Sequence, residues 1–293
     1  MPVEAQPKGK ISIVGGSSSI GTDLRPLISK FAPTLTAGRA GCDIFLDLAA
    51  PWKVSPSQKG LMSSSILRPI SAAVRARANH TIFIPSTVSS LTGEAESYPS
   101  YSLSKRHAEE FARAYCFREG MPLTILKPSQ VSGNQVTFQE HQPLLYGILD
   151  AGESQAEIHI HGTHVSCKNF IHVDDLTAVI LRVIQARPTR TYVCAHPENS
   201  TCLQIAKAAL RSFENNGNIS FLSSEPSVPD TIFEVDYSLY NLLELYPEIS
   251  IEEGIERLAC FSNTTPLEKY LFQVQAECWV TEFYVPSVKA TET

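Results

Sequence analysis

Ile11-Ser12-Ile13-Val14-Gly15-Gly16-Ser17-Ser18-Ser19-Ile20-Gly21 opens with a short β-branched run and breaks into a glycine and serine turn. A helical pattern then begins, with apolar residues at Leu24, Leu27, Ile28 and Phe31. Strand, glycine turn and helix in that order are the context a dinucleotide-binding fingerprint requires. Gly15 allows the tight turn and Gly21 allows the helix to lie close against its strand. The backbone N–H groups of Ser17, Ser18 and Ser19, with Ile20 at the helix start, are placed to receive a pyrophosphate. Ser18 stands where a third glycine is expected, so its hydroxymethyl group either crowds the phosphates or hydrogen-bonds to them.

Working outward from this turn, the residues from Pro33 to Arg39 read as a second strand, and no carboxylate stands at its end. The acceptor that usually holds a ribose 2′-hydroxyl is therefore missing, while Arg39 offers a fork for a 2′-phosphate. NADP(H) is the expected cofactor, with NAD(H) as the alternative. Asp43 to Ala50 is a near-continuous apolar run, as in a strand buried on both faces. Its end, Leu48-Ala49-Ala50, is small enough for a cofactor to lie against it. A helical stretch from about Ser64 to Ala78 precedes the strand Thr81-Ile82-Phe83-Ile84, which ends at Pro85-Ser86-Thr87.

Tyr101 stands four residues before Lys105 at the opening of the next helix. On a helix the two share a face, about 5–6 Å apart at Cβ. A neighbouring ammonium favours the phenolate and lowers the phenol's pKa from about 10, which makes Tyr101 a candidate proton donor near neutral pH. The helix stops at Gly120, and the strand Leu123-Thr124-Ile125-Leu126 breaks at Lys127-Pro128-Ser129. Strands alternating with helices over the first 130 residues imply an α/β fold with a Rossmann-like, doubly wound parallel sheet.

Composition narrows the partners. The chain has 293 residues, 43% of them hydrophobic, with a net charge of −6, so bulk electrostatics invite neither nucleic acid nor an anionic membrane surface. Its 7 cysteines are scattered and never spaced C-x-x-C, which reads as reduced thiols in a cytoplasmic protein. No apolar run reaches the length of a membrane span, and the polar start, Met1 to Lys10, lacks a signal peptide's pattern.

Taken together, the Gly15–Gly21 turn, Leu48-Ala49-Ala50, Ser86-Thr87, the Tyr101/Lys105 pair, Leu126 to Gly133, and Asn169-Phe170-Ile171-His172-Val173-Asp174-Asp175 resemble the extended short-chain dehydrogenase/reductase family. This is also called the NAD-dependent epimerase/dehydratase family of nucleotide-sugar enzymes. The resemblance implies that Thr87 and Tyr101 hydrogen-bond the reacting oxygen while Lys105 holds the nicotinamide ribose. It implies that Pro128, Ser129 and Val131 line the nicotinamide pocket, and that Val88, Ser89, Gln130 and Lys168 belong to the substrate side. The segment from about Gln139 to Ile160 would supply nucleotide-diphosphate contacts.

Two departures from the family shape the expectation. The strand and helix usually found between the second strand and Leu48-Ala49-Ala50 are missing, so the sheet is expected to have one strand fewer. Val88 and Ser89 occupy the place of the Asp-Glu pair of sugar dehydratases, which disfavours elimination chemistry.

His159, His161, His164 and His172, with Cys167, resemble a metal site only in composition; they are read as structural, and no metal is expected. Asp174 and Asp175 open a helix and are read as capping residues rather than an acid/base pair. Residues 1–135, with parts of 165–200, form the expected dinucleotide domain, 136–263 a smaller α/β substrate-binding part, and 264–293 an apolar extension of unassigned role. The expected activity is NAD(P)H-dependent reduction of a nucleotide-activated 4-keto sugar, in a homodimer. The alternatives are a C4 epimerase with retained NAD, and a non-catalytic dinucleotide-binding sensor.

Overall fold

The computed structural model describes residues 10–15, 18–31, 34–36, 42–48, 71–74, 77–85, 100–134, 138–139, 142–163 and 165–262. Its centre is a six-stranded sheet built from β1 (Ile11–Val14), β2 (Thr34–Thr36), β3 (Ile44–Asp47), β4 (His80–Phe83), β5 (Leu123–Pro128) and β10 (Thr191–Cys194). The order across the sheet is β10-β5-β4-β3-β1-β2, and every pairing is parallel.

Alternation along β3 explains why both faces are covered. Ile44 and Leu46 point to one side, where they pack with Leu24, Leu27 and Ile28 of α1 (Ser19–Phe31) and with Leu176, Val179, Ile180 and Val183 of α4 (Val173–Ala186). Phe45 points to the other and packs with Ala72, Ala73 and Ala78. Farther along that second side, Phe83 and Ile125 meet Ala108 and Ala112 of α2 (Ser100–Arg118). Each fully buried aliphatic side chain in these layers contributes roughly 2 kcal/mol. A strand apolar on both faces therefore sits in the middle of the sheet.

The chain leaves β1 toward β2 on one flank, and returns to β3 on the other. That reversal makes the carboxyl edge between β1 and β3 the crevice where such sheets hold ligands. Only β2 lies beyond β1 among the described residues. Residues 37–43 join β2 to β3, too few for the crossover of about a dozen residues that another strand would require. This is the missing strand and helix anticipated from the sequence.

A second apolar cluster lies outside the sheet. It joins Leu145, Ile148 and Leu149 of α3 (Pro143–Glu153), Ile158 and Ile160 of β7 (Ile158–His161), Ile205, Ala206 and Ala209 of α5 (Cys202–Ser212), and Ile255 of α7 (Ile251–Ser262). Three short pairs frame it. β6 (Gln130–Ser132) runs parallel to β9 (Phe170–His172), β7 runs parallel to β12 (Ile219–Leu222), and β8 (Cys167–Lys168) runs antiparallel to β11 (Ser200–Thr201). Tyr240 of α6 (Tyr237–Leu243) packs in the sheet's own core with Leu239 and Leu243, its hydroxyl donating to the Ala195 carbonyl at 2.7 Å. No described helix is long and apolar enough to cross a membrane.

Candidate active site

Gly15 takes a φ of 77°, a left-handed turn that a side chain would strain. Its carbonyl accepts from the Ser18 amide at 2.9 Å, closing the turn. The Ser18 hydroxyl then accepts from the Gly21 amide at 3.2 Å. Ser18 is therefore the cap of α1, satisfying one helix-start N–H group that would otherwise face an anion. Gly21 is buried, as close helix packing requires, and Ile20 packs against the main core. Ser19 lies in the first turn of α1.

Leu48 follows β3 buried, its amide donating to the Val14 carbonyl at 2.9 Å, which fixes the far wall of the crevice. Of the remaining crevice residues expected from the sequence, Ser17, Arg39, Ala49, Ala50, Thr87, Val88 and Ser89 lie outside the described residues.

Tyr101 and Lys105 both fall within α2, one turn apart at its start. Because α2 follows β4 and leads into β5, its first turns lie at the carboxyl edge of the sheet. Lys105 is 3% exposed. Burial lowers its pKa from 10.5 to about 8, against an opposing pull from Asp47. A lysine so placed is charged at neutral pH yet close to losing its proton.

The end of β5 supplies the next wall. Pro128 and Ser129 are buried, the Ser129 amide donating to the Cys194 carbonyl at 2.8 Å. Val131 is half-buried against both cores. Gln130 donates to Gln142 Oε1 at 2.7 Å. The buried Ser129 hydroxyl and Gln130 Oε1 have no hydrogen-bond partner among the described residues. Two orphaned polar atoms at the carboxyl end of β5 suit a polar ligand lying along that edge of the sheet.

Lys168 is engaged elsewhere. Its ammonium donates to the Pro229 carbonyl at 2.6 Å and to Thr231 Oγ1 at 3.2 Å, and burial lowers its pKa. Asn169 is fully buried and knots the start of β9 to the chain after β10, bonding the His196 and Glu198 carbonyls and Asn199.

At the start of α4 the cap is His172, whose Nδ1 accepts from the Asp174 amide at 3.2 Å. Asp174 meets Arg257 at 3.2 Å. Asp175 does not cap its own helix; it accepts from the Glu248 and Ile249 amides at 3.2 and 2.9 Å, holding the chain before α7. His159 and His161 are exposed on β7, and His159 pairs with Ser220 at 2.8 Å. Among the described residues no three His, Cys, Asp or Glu side chains are grouped to hold a metal.

Four charged residues missed in the sequence lie on α2 or on the strands beneath it. Asp47 ends β3 at 2% exposure, and Glu109 of α2 meets Lys127 of β5 at 3.3 and 3.4 Å. Arg113 reaches Glu109 at 3.5 Å and Thr191 at 2.8 Å. Their signal was present: Asp47 interrupts an apolar run, and Lys127 ends one.

Comparison with known proteins agrees with this arrangement. The sequence pattern described as "NAD dependent epimerase/dehydratase family" matches residues 69–195. A UDP-glucuronic acid decarboxylase 1 from Xenopus tropicalis is 21% identical over 189 residues, a match covering 64% of this chain and 42% of the relative's length. Among solved structures, a GDP-D-glycero-L-gluco-heptose synthase from Campylobacter jejuni, determined in the presence of NADPH, superposes with a TM-score of 0.72. It has 14% identity and covers 89% of this chain and 100% of its own. The UDP-glucose 4-epimerase of Thermotoga maritima with UDP-glucose superposes with a TM-score of 0.69 at 14% identity, covering 89% and 99%. In the sequence of residues 69–195 and in its Rossmann-like fold, the chain resembles the NAD dependent epimerase/dehydratase family of nucleotide-sugar enzymes.

Proposed function

We propose that the protein is an NADP(H)-dependent reductase of a nucleotide-activated 4-keto sugar. The observation that carries this reading is Lys105, buried at the carboxyl edge of the sheet one helical turn after Tyr101, with a pKa near 8. A lysine at that place has a use in chemistry that a merely structural residue would not need. Bound nicotinamide supplies the hydride that reduces the keto carbon.

Tyr101 gives its phenolic proton to the keto oxygen, and Thr87 donates a hydrogen bond to the same oxygen. Lys105 stabilises the phenolate left behind and holds the ribose. The turn from Gly15 to Gly21, with Ser17, Ser18, Ser19 and Ile20, receives the pyrophosphate, and Leu48, Ala49 and Ala50 pack beside it. Arg39 meets the 2′-phosphate. Pro128, Ser129 and Val131 face the nicotinamide, while Val88, Ser89 and Gln130 meet the substrate. Lys168 serves the substrate side by holding the segment around Pro229 and Thr231.

The two core clusters support a division of labour of this kind, with α6 of the later segment packed in the sheet core. Residues 1–135 with parts of 165–200 bind the dinucleotide, and 136–263 bind the sugar nucleotide.

Retained-NAD epimerisation at C4 is the second reading, favoured by the likeness to the UDP-glucose epimerase fold. Incubation with NADPH and a panel of nucleotide 4-keto sugars separates the two. One NADPH consumed per sugar reduced supports the reductase, whereas inversion without net consumption supports the epimerase. Dinucleotide binding with neither outcome makes the protein a non-catalytic sensor.

A further inference from the structure

On the side of the sheet covered by α2, the carboxyl edge turns from apolar to charged. Asp47 is in register with Phe83, and Phe83 with Ile125. Phe83 and Ile125 pack against Ala108 and Ala112 of α2. Residues in register across a sheet share a face, so the Asp47 side chain emerges on the α2 side. Two residues after Ile125, Lys127 lies on that same side and meets Glu109. Lys105 lies one turn before Glu109, on the buried side of the helix.

Acid, base, acid and base therefore follow one another beneath α2. Asp47, Lys105, Glu109 and Lys127 are 2%, 3%, 5% and 8% exposed. A carboxylate buried as deeply as Asp47 costs several kcal/mol unless a cation neutralises it.

We propose that Asp47 is a positioning residue of the candidate site, holding the Lys105 ammonium charged and in place at the foot of the helix that carries Tyr101. The inference rests on the reading of Tyr101 and Lys105 as the proton-handling pair. Burial works against the Lys105 charge and Asp47 works for it. Removing Asp47 leaves the first effect unopposed from the sheet. The ammonium then deprotonates within the neutral range, where it can no longer stabilise a phenolate.

Among the described residues, the other charged groups on this side of the sheet do not replace Asp47. Tyr101 and Glu109 share its helix, and Glu109 is already bound to Lys127 and Arg113. β4 presents Phe83 on this side, and its His80 stands at the opposite end of the strand.

The test is a side-chain NMR titration of lysine-labelled protein across about pH 6 to 10, with the Lys105 signal identified by its loss in Lys105→Arg. The wild-type signal is expected to titrate near 8. In Asp47→Asn the midpoint falls by about one unit or more, equivalent to a roughly tenfold change in protonation equilibrium. Asp47→Glu keeps it close to wild type. An unchanged midpoint in folded Asp47→Asn overturns the proposal. Should Asp47→Asn fail to fold, the double variant Asp47→Asn/Lys105→Met decides the matter, because deleting both charges removes the unpaired one. Recovery of a cooperative thermal transition supports the pairing, and its continued absence overturns it. The titration needs no turnover, so its failure is distinct from a failure to consume NADPH.

Discussion

Ser18 shows how one residue can be conspicuous in the sequence while its role depends on geometry. In the sequence it is a serine in a glycine's place, compatible with crowding a phosphate or binding one. In the structure its hydroxyl accepts from the Gly21 amide, so the helix start that would face a pyrophosphate already has one N–H group satisfied. Ser18→Gly frees that amide at a capping cost of only a few tenths of a kcal/mol. Dinucleotide affinity is expected to rise by about fivefold, equivalent to the net worth of roughly one hydrogen bond. Titration calorimetry with NADPH checks this. Asp47 is the opposite case: a carboxylate closing an apolar strand is visible in the sequence, but nothing there pairs it with a lysine 58 positions later. Only strand register and the packing of α2 bring the two to one side of the sheet.

Among the elements, those with strong periodicity or clear punctuation were legible. β1, α1, β3, β4, α2 and β5 fall where their apolar patterns place them, because each buries a stripe or a face large enough to impose a period. The two-residue strands β8 and β11 were not, since two residues carry no alternation and their pairing is decided by the surrounding core. The amino end of the sheet has its own fastening, equally invisible in one dimension. Thr124 donates its hydroxyl to the Pro188 carbonyl, so His80 Nε2 must be the donor in its 2.7 Å contact with Thr124. Burial, aided by Arg187, keeps this ring neutral and lowers its pKa from 6.5 to about 4. The folded state thus resists protonation that the unfolded chain accepts, and stability falls as pH drops from about 6.5 to 4. The loss from this group is about 3 kcal/mol. His80→Gln keeps a donor but removes the titration. The difference in stability between wild type and variant should therefore shrink by that amount over the interval, as followed by guanidinium unfolding at several pH values.

At the scale of the whole molecule, the parallel order β10-β5-β4-β3-β1-β2 does two things for the proposed chemistry. It opens a crevice where the strand order reverses, and it delivers the start of α2 to that crevice's edge. The fold class and the shortened sheet were readable from alternating elements and from the few residues between β2 and β3. The second core, which joins α3, α5 and α7, was less readable, because its members are far apart in the chain and meet only by long-range packing. The claim that depends on this whole arrangement is that Tyr101 is the proton donor in a dinucleotide-dependent reduction. The most direct measurement compares wild type with Tyr101→Phe, following NADPH consumption with a UDP-linked 4-keto sugar and NADPH affinity by calorimetry on the same preparations. The predicted result is turnover by wild type, a loss of about 10²–10⁴-fold in the variant, and NADPH affinity preserved. Turnover in Tyr101→Phe equal to that of wild type would contradict the account.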